Sequence, residues 1–233
     1  AKNMEFIVIT IISLISIIIL AYIFNYNIKK IKQIGEDKKL DELSKKYPSN
    51  IELCKKYLKK LKNEKVQIEE QNEAKASLYI FITNKIIIAN IQNTYTRIQT
   101  IAHECLHSIQ DKKILAFNFI FSNIYLLYFL IISILAIFKL LPNEMMYLSI
   151  LLILSLIYYM VRIYLENDAM IKARYLAKEY LEEEKISSKE EIEEFVAGFD
   201  KINEVGIKCV NYNFFMNIMI KVLIFSIICL IFK

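Results

Sequence analysis

The sequence predicts a mainly α-helical membrane protein with four spans, a polar helical region, a small β-hairpin and one metal-binding helix. Three observations carry this. More than half of the 233 residues are hydrophobic, and they fall into long apolar runs separated by Lys/Glu-rich stretches, the pattern of a membrane chain. The segment Leu78–Ile88 is rich in β-branched and aromatic residues but too short to cross a bilayer as a helix. Residues 103–107 read His-Glu-Cys-Leu-His, and these are the only two histidines in the chain.

The first run, Phe6 to Phe24, is long enough to span. It is too long for the apolar core of a signal peptide, and no small-x-small site follows, so residues 1–24 are expected to form an anchor. Residues 25–113 are polar, opening with Lys29, Lys30, Lys32, Lys38 and Lys39. Pro48 breaks the chain, and Ser49 with Glu52 has the spacing of a capping box. The helix it opens should present Ile51, Cys54, Leu58 and Leu61 on one face. A hairpin is expected from Leu78–Thr83 and Ile86–Ile88, turning at Asn84-Lys85.

Residues 114–165 should form a transmembrane hairpin, turning at Pro142-Asn143-Glu144. Residues 166–212 return to polar helix. Ser187 or Ser188, with Glu190 or Glu191, caps a helix bearing Ile192, Phe195, Val196, Phe199 and Ile202, which Gly206 can end. Residues 213–233 hold the last span, interrupted by Lys221, which should face other helices, water or a headgroup. Lysines cluster beside 25–113 and 166–212, so the positive-inside rule places both segments in the cytoplasm and the termini outside.

The net charge of +5 belongs to these flanks. The arginines are Arg97, Arg162 and Arg174, with no Arg/aromatic patch and no Gly-rich loop, which argues against nucleic acid. Cys54, Cys105, Cys209 and Cys229 form no C-x-x-C pair and suit a reducing compartment. Cys105 points away from the histidine face, and packing is its expected role.

On a helix, His103 and His107 lie one turn apart on one face and can grip a single ion, while Glu104 can act as base toward a water. Zinc sites of this type need a third protein ligand. The transmembrane hairpin returns the chain to the side it left, and the first acidic residue met there is Glu166; Asp168 and Glu179 are its rivals. Tyr212, just before the last span, is a candidate donor to an oxyanion, with an interfacial anchor as its plainer role.

Ala102-His-Glu-Cys-Leu-His-Ser-Ile-Gln110 resembles the A-H-E-x-x-H-A-I-Q signature of the YugP-like neutral zinc metallopeptidases, and Glu166-Asn-Asp-Ala169, with Lys172-Ala173, resembles their E-F-[ND]-A-S-R-R-A segment. The order of spans and motifs also matches, and the HtpX family shares the broader plan. Met170 and Asn167 depart from the pattern. The resemblance implies a zincin-like metal helix in a bacterial cell-membrane peptidase. Zn²⁺ would be held by His103, His107 and Glu166, Glu104 would be the catalytic base, and the substrate a peptide or membrane protein in contact with lipid. The alternative is a non-enzymatic membrane scaffold or transporter component that keeps a metal motif.

Two geometric expectations follow. A straight helix running on from His107 would carry it away from Glu166 at about 1.5 Å per residue, so the metal helix must break between Asp111 and Asn118. The strand Ile86–Ile91 should border the cleft with a free edge for substrate backbone.

Overall fold

The computed structural model describes residues 2–24 and 28–232. In chain order the elements are α1 (Lys2–Ile23), α2 (Ile28–Gly35), α3 (Lys38–Ser44), α4 (Asn50–Lys60), β1 (Gln67–Glu70), β2 (Leu78–Ile80), β3 (Lys85–Ile88), α5 (Arg97–Ile109), α6 (Lys112–Ile137), α7 (Glu144–Glu184) and α8 (Lys189–Ile231). The chain divides into two compact units, residues 1–26, 116–164 and 208–233 in one and 27–115 and 165–207 in the other.

The first unit holds the apolar segments. Among the described residues, α1, α6, α7 and α8 are the helices long and apolar enough to cross a membrane. Their outer faces carry exposed Ile7, Ile11, Ile18, Ile120, Leu127, Ile153 and Leu156, which water would not tolerate over so wide an area. Inside, Phe6, Tyr125, Phe129, Ile132, Leu148, Leu151, Ile218, Val222 and Phe225 form one core. The α6–α7 turn is set by local chemistry. Lys139 takes the left-handed conformation, the Leu140 amide donates back to the Leu135 carbonyl at 2.8 Å, and Asn143 Oδ1 accepts from the Met146 amide at 3.2 Å. Lys221 donates to Asn217 and lies 5.3 Å from the Tyr125 ring centre.

The second unit packs around Leu53, Cys54, Tyr57, Ile86, Ile88, Ile98, Ile101, Ala102, Cys105, Ala169, Ala177, Phe195 and Phe199. The second capping box forms in full, Ser188 and Glu191 exchanging bonds of 2.9 and 3.2 Å, and at the first Ser49 caps α4 by accepting from the Glu52 amide. The buried face of α4 is Leu53, Cys54, Tyr57 and Leu58, rotated from the expected face because Ile51 and Leu61 stay partly exposed. Arg97 is fully buried, its guanidinium donating to the carbonyls of Ser44 (2.7 Å), Tyr47 (3.1 Å) and Pro48 (2.7 Å) and to Asn50 Oδ1 (3.3 Å).

Three expectations are corrected. The hairpin belongs to a three-stranded sheet of order β1-β3-β2. β1 pairs parallel to β3, and β2 pairs antiparallel with Ile80 opposite Lys85, so the turn is Phe81–Asn84 and Asn84 supplies its positive φ. β3 is therefore the central strand, and Ile86–Ile91 offers no free strand edge. Gly206 does not end a helix, since α8 runs through it. A β-carbon there would lie 3.0 Å from Met170 Cε, so this glycine makes room for a neighbouring side chain.

Candidate metal centre

The site lies wholly within the second unit. α5 presents His103 and His107 on one face because its opposite face, Ile98, Ile101, Ala102 and Cys105, is buried in the core. Cys105 packs there with its sulfur 3.6 Å from that of Cys54. α5 ends at Gln110, whose ψ of 159° leaves the helix, and Asp111 caps α6 by accepting from the amides of Lys113 (2.7 Å) and Ile114 (3.3 Å). Lys112 Nζ donates to the Ser108 carbonyl at 2.8 Å, covering a last-turn acceptor of α5. The break thus exists, at Gln110–Asp111, at the near edge of the expected interval.

His103 Nε2 and His107 Nε2 are 3.0 Å apart, and Glu166 Oε2 lies 3.5 and 3.4 Å from them. Four tetrahedral ligands at about 2.0–2.1 Å from zinc would be separated by about 3.3 Å. These separations bracket that value, so the three donors fit one ion with a position left over. His103, His107 and Glu166 are the metal-capable group formed among the described residues. Their side chains remain 12–19% exposed, open enough to be reached from solvent.

The rivals are engaged elsewhere. Asp168 pairs with Lys172 at 2.6 Å, and Glu179 with Lys60 at 2.8 Å. Tyr212 belongs to the first unit, where its hydroxyl donates to the Ile17 carbonyl at 3.1 Å.

Glu104 is buried, 6% exposed. Burial pushes its carboxyl up from the ordinary range, opposed by His103 and His107, and a main-chain hydrogen bond from Tyr79 reaches it. That contact was missed from sequence; it comes from β2, which packs on α5. Gln110 was also missed as a working residue: its amide sits 2.8 Å from His107 Nδ1 and 2.7 Å from the Leu165 carbonyl.

Without an ion, His107 and Glu166 act on each other. Burial alone would lower His107, but the Glu166 carboxylate outweighs it and the imidazole is raised. Burial alone would raise Glu166, but hydrogen bonds from the two imidazoles hold it well below the carboxylate range. A raised histidine stabilises the fold below its unfolded value near 6.5 and loses that effect as pH rises through its folded value. A lowered carboxylate stabilises above about 4.5 and loses that effect as pH falls through its folded value. The pair therefore supports the metal-free protein most between about pH 4.5 and 6.5. Where His107 is protonated, metal must displace that proton. Apparent zinc affinity is expected to rise about tenfold per pH unit up to the raised His107 value and then level off, as chelator competition across pH will show.

No family model matches the chain, and no curated protein or solved structure matches it.

Proposed function

We propose that the chain is a membrane-embedded zinc endopeptidase, a peptide-bond hydrolase whose metal donors are His103, His107 and Glu166. The supporting observation is the convergence of two imidazole nitrogens and one carboxylate oxygen within 3.0–3.5 Å, beside a buried Glu104 on the same helix. Bound zinc would supply a Lewis acid for the scissile carbonyl and acidify a water. Glu104 takes the proton of the attacking water at its carboxylate and returns it to the departing amine; its raised affinity for protons brings it closer to the pH of the reaction.

The free edge beside this base is that of β2. It pairs with β3 on one side and has no strand partner on the other among the described residues. An extended peptide is the substrate such an edge accepts. The lysine-rich flanks of both polar segments support a cytoplasmic placement of the site.

The test is metal content and cleavage by the purified, detergent-solubilised protein. About one zinc per chain is expected, His103→Ala, His107→Ala and Glu166→Ala should each lose it, and chelation should stop hydrolysis of an unfolded protein substrate. Full zinc occupancy in both histidine variants would refute the site.

A further inference from the structure

Gln110 stands where α5 stops and faces both halves of the donor cluster. Its Nε2 is 2.7 Å from the Leu165 carbonyl and 3.3 Å from Asp168 Oδ2. Both partners are acceptors, so the NH₂ end of the amide must point there. The carbonyl end then faces His107 Nδ1 at 2.8 Å. An oxygen at that distance requires a proton on Nδ1. Gln110 therefore favours the Nδ1–H tautomer of the neutral ring, whose Nε2 lone pair can accept from His103 Nε2 at 3.0 Å, against the more distant Glu166 Oε2, which at 3.4 Å favours a proton on Nε2.

The helical φ of Gln110 (−59°) keeps its side chain on the face of His107, three residues back, and its extended ψ turns only the following chain away. Its NH₂ also ties the end of α5 to Leu165, the residue before Glu166. One buried amide, 9% exposed, fixes the proton of one donor and the register of the segment bearing another.

We infer that Gln110 is a positioning residue that selects the tautomer and ring plane of His107 and holds the Glu166 segment against it. The consequence for metal affinity rests on the peptidase reading above; the tautomer does not.

The chain's two histidines make a direct measurement practical. The full-length, metal-free protein is labelled with ¹⁵N-histidine and its ring nitrogens are recorded at alkaline pH in long-range correlation spectra, with His103→Gln assigning His107. Wild type should show His107 as Nδ1–H. Gln110→Leu should shift it toward Nε2–H, and Gln110→Glu, which keeps an acceptor, should retain Nδ1–H. A wild-type His107 in the Nε2–H form, or an unchanged tautomer in Gln110→Leu, overturns the proposal. The wild-type spectrum decides even if Gln110→Leu does not fold.

Cobalt titration against a chelator is the second readout. Gln110→Leu should still bind one ion, about 10- to 100-fold more weakly, and equal affinity would overturn the role. If wild type binds no cobalt at all, the peptidase reading fails while the tautomer assignment stands on its own spectrum.

Discussion

Glu104→Gln is expected to lower peptide hydrolysis by about a hundred- to ten-thousandfold while zinc remains bound. The amide keeps the size of the carboxyl and can still accept the main-chain bond from Tyr79, so the fold of α5 and the spacing of His103 and His107 are preserved. What disappears is the group that takes and returns a proton. The substitution also removes a buried acid, so the variant should be no less stable than wild type. Turnover and zinc content measured on the same preparation check both halves. Retained hydrolysis would assign the base elsewhere, and lost zinc would make Glu104 part of the binding set.

The largest stability loss is expected at Arg97. Its guanidinium is completely buried and serves three main-chain carbonyls and Asn50 Oδ1. Asn50 in turn donates to Glu70 at 2.8 Å, so the network joins the α3–α4 turn to α5 and to β1. Arg97→Met fills much of the volume but takes this donor from the Tyr47 and Pro48 carbonyls and Asn50 Oδ1, while the Ser44 carbonyl keeps the Tyr47 amide at 3.1 Å. Each such orphan costs about 1–3 kcal/mol, and some will recover water, so a loss on the order of 4 kcal/mol is expected. That is a large fraction of the roughly 5–15 kcal/mol that holds a domain folded. Arg97→Lys should recover only part of it, because a single ammonium cannot reproduce a planar fork. Thermal unfolding and protease resistance measure the effect; a variant that melts with wild type would show the clamp to be dispensable.

The parts of this protein legible in its sequence are those written in local spacing. Four apolar runs, two capping boxes and H-E-x-x-H each sit within a few residues. Glu166 was reachable because a hairpin returns the chain to the side it left. The missing parts depend on distant partners. Gln67–Glu70 has one apolar residue and becomes a strand only because β3 lies beside it in parallel. Gly206 reads as a helix stop unless Met170 is known to press against it. Arg97 reads as a polar flank, since nothing in a sequence marks backbone carbonyls waiting to receive a guanidinium. Tyr79 contributes through its main chain, where residue type carries no signal.

The break at Gln110–Asp111 also bears on how the chain enters the membrane during synthesis. α5 is apolar on one side, with Ile98, Ile101, Ala102, Cys105 and Leu106 in succession, and it runs almost directly into the 26-residue apolar helix α6. Gln110 and Asp111 stand between them, and α6 opens with Lys112 and Lys113, so three charged residues run in succession from Asp111. Each charged residue of this kind opposes insertion at the bilayer centre by about 2.5–3.5 kcal/mol. Three in a row fix where the inserting segment starts. An insertion machine that samples hydrophobic windows therefore takes α6 and leaves the histidines in water, where an ion can reach them.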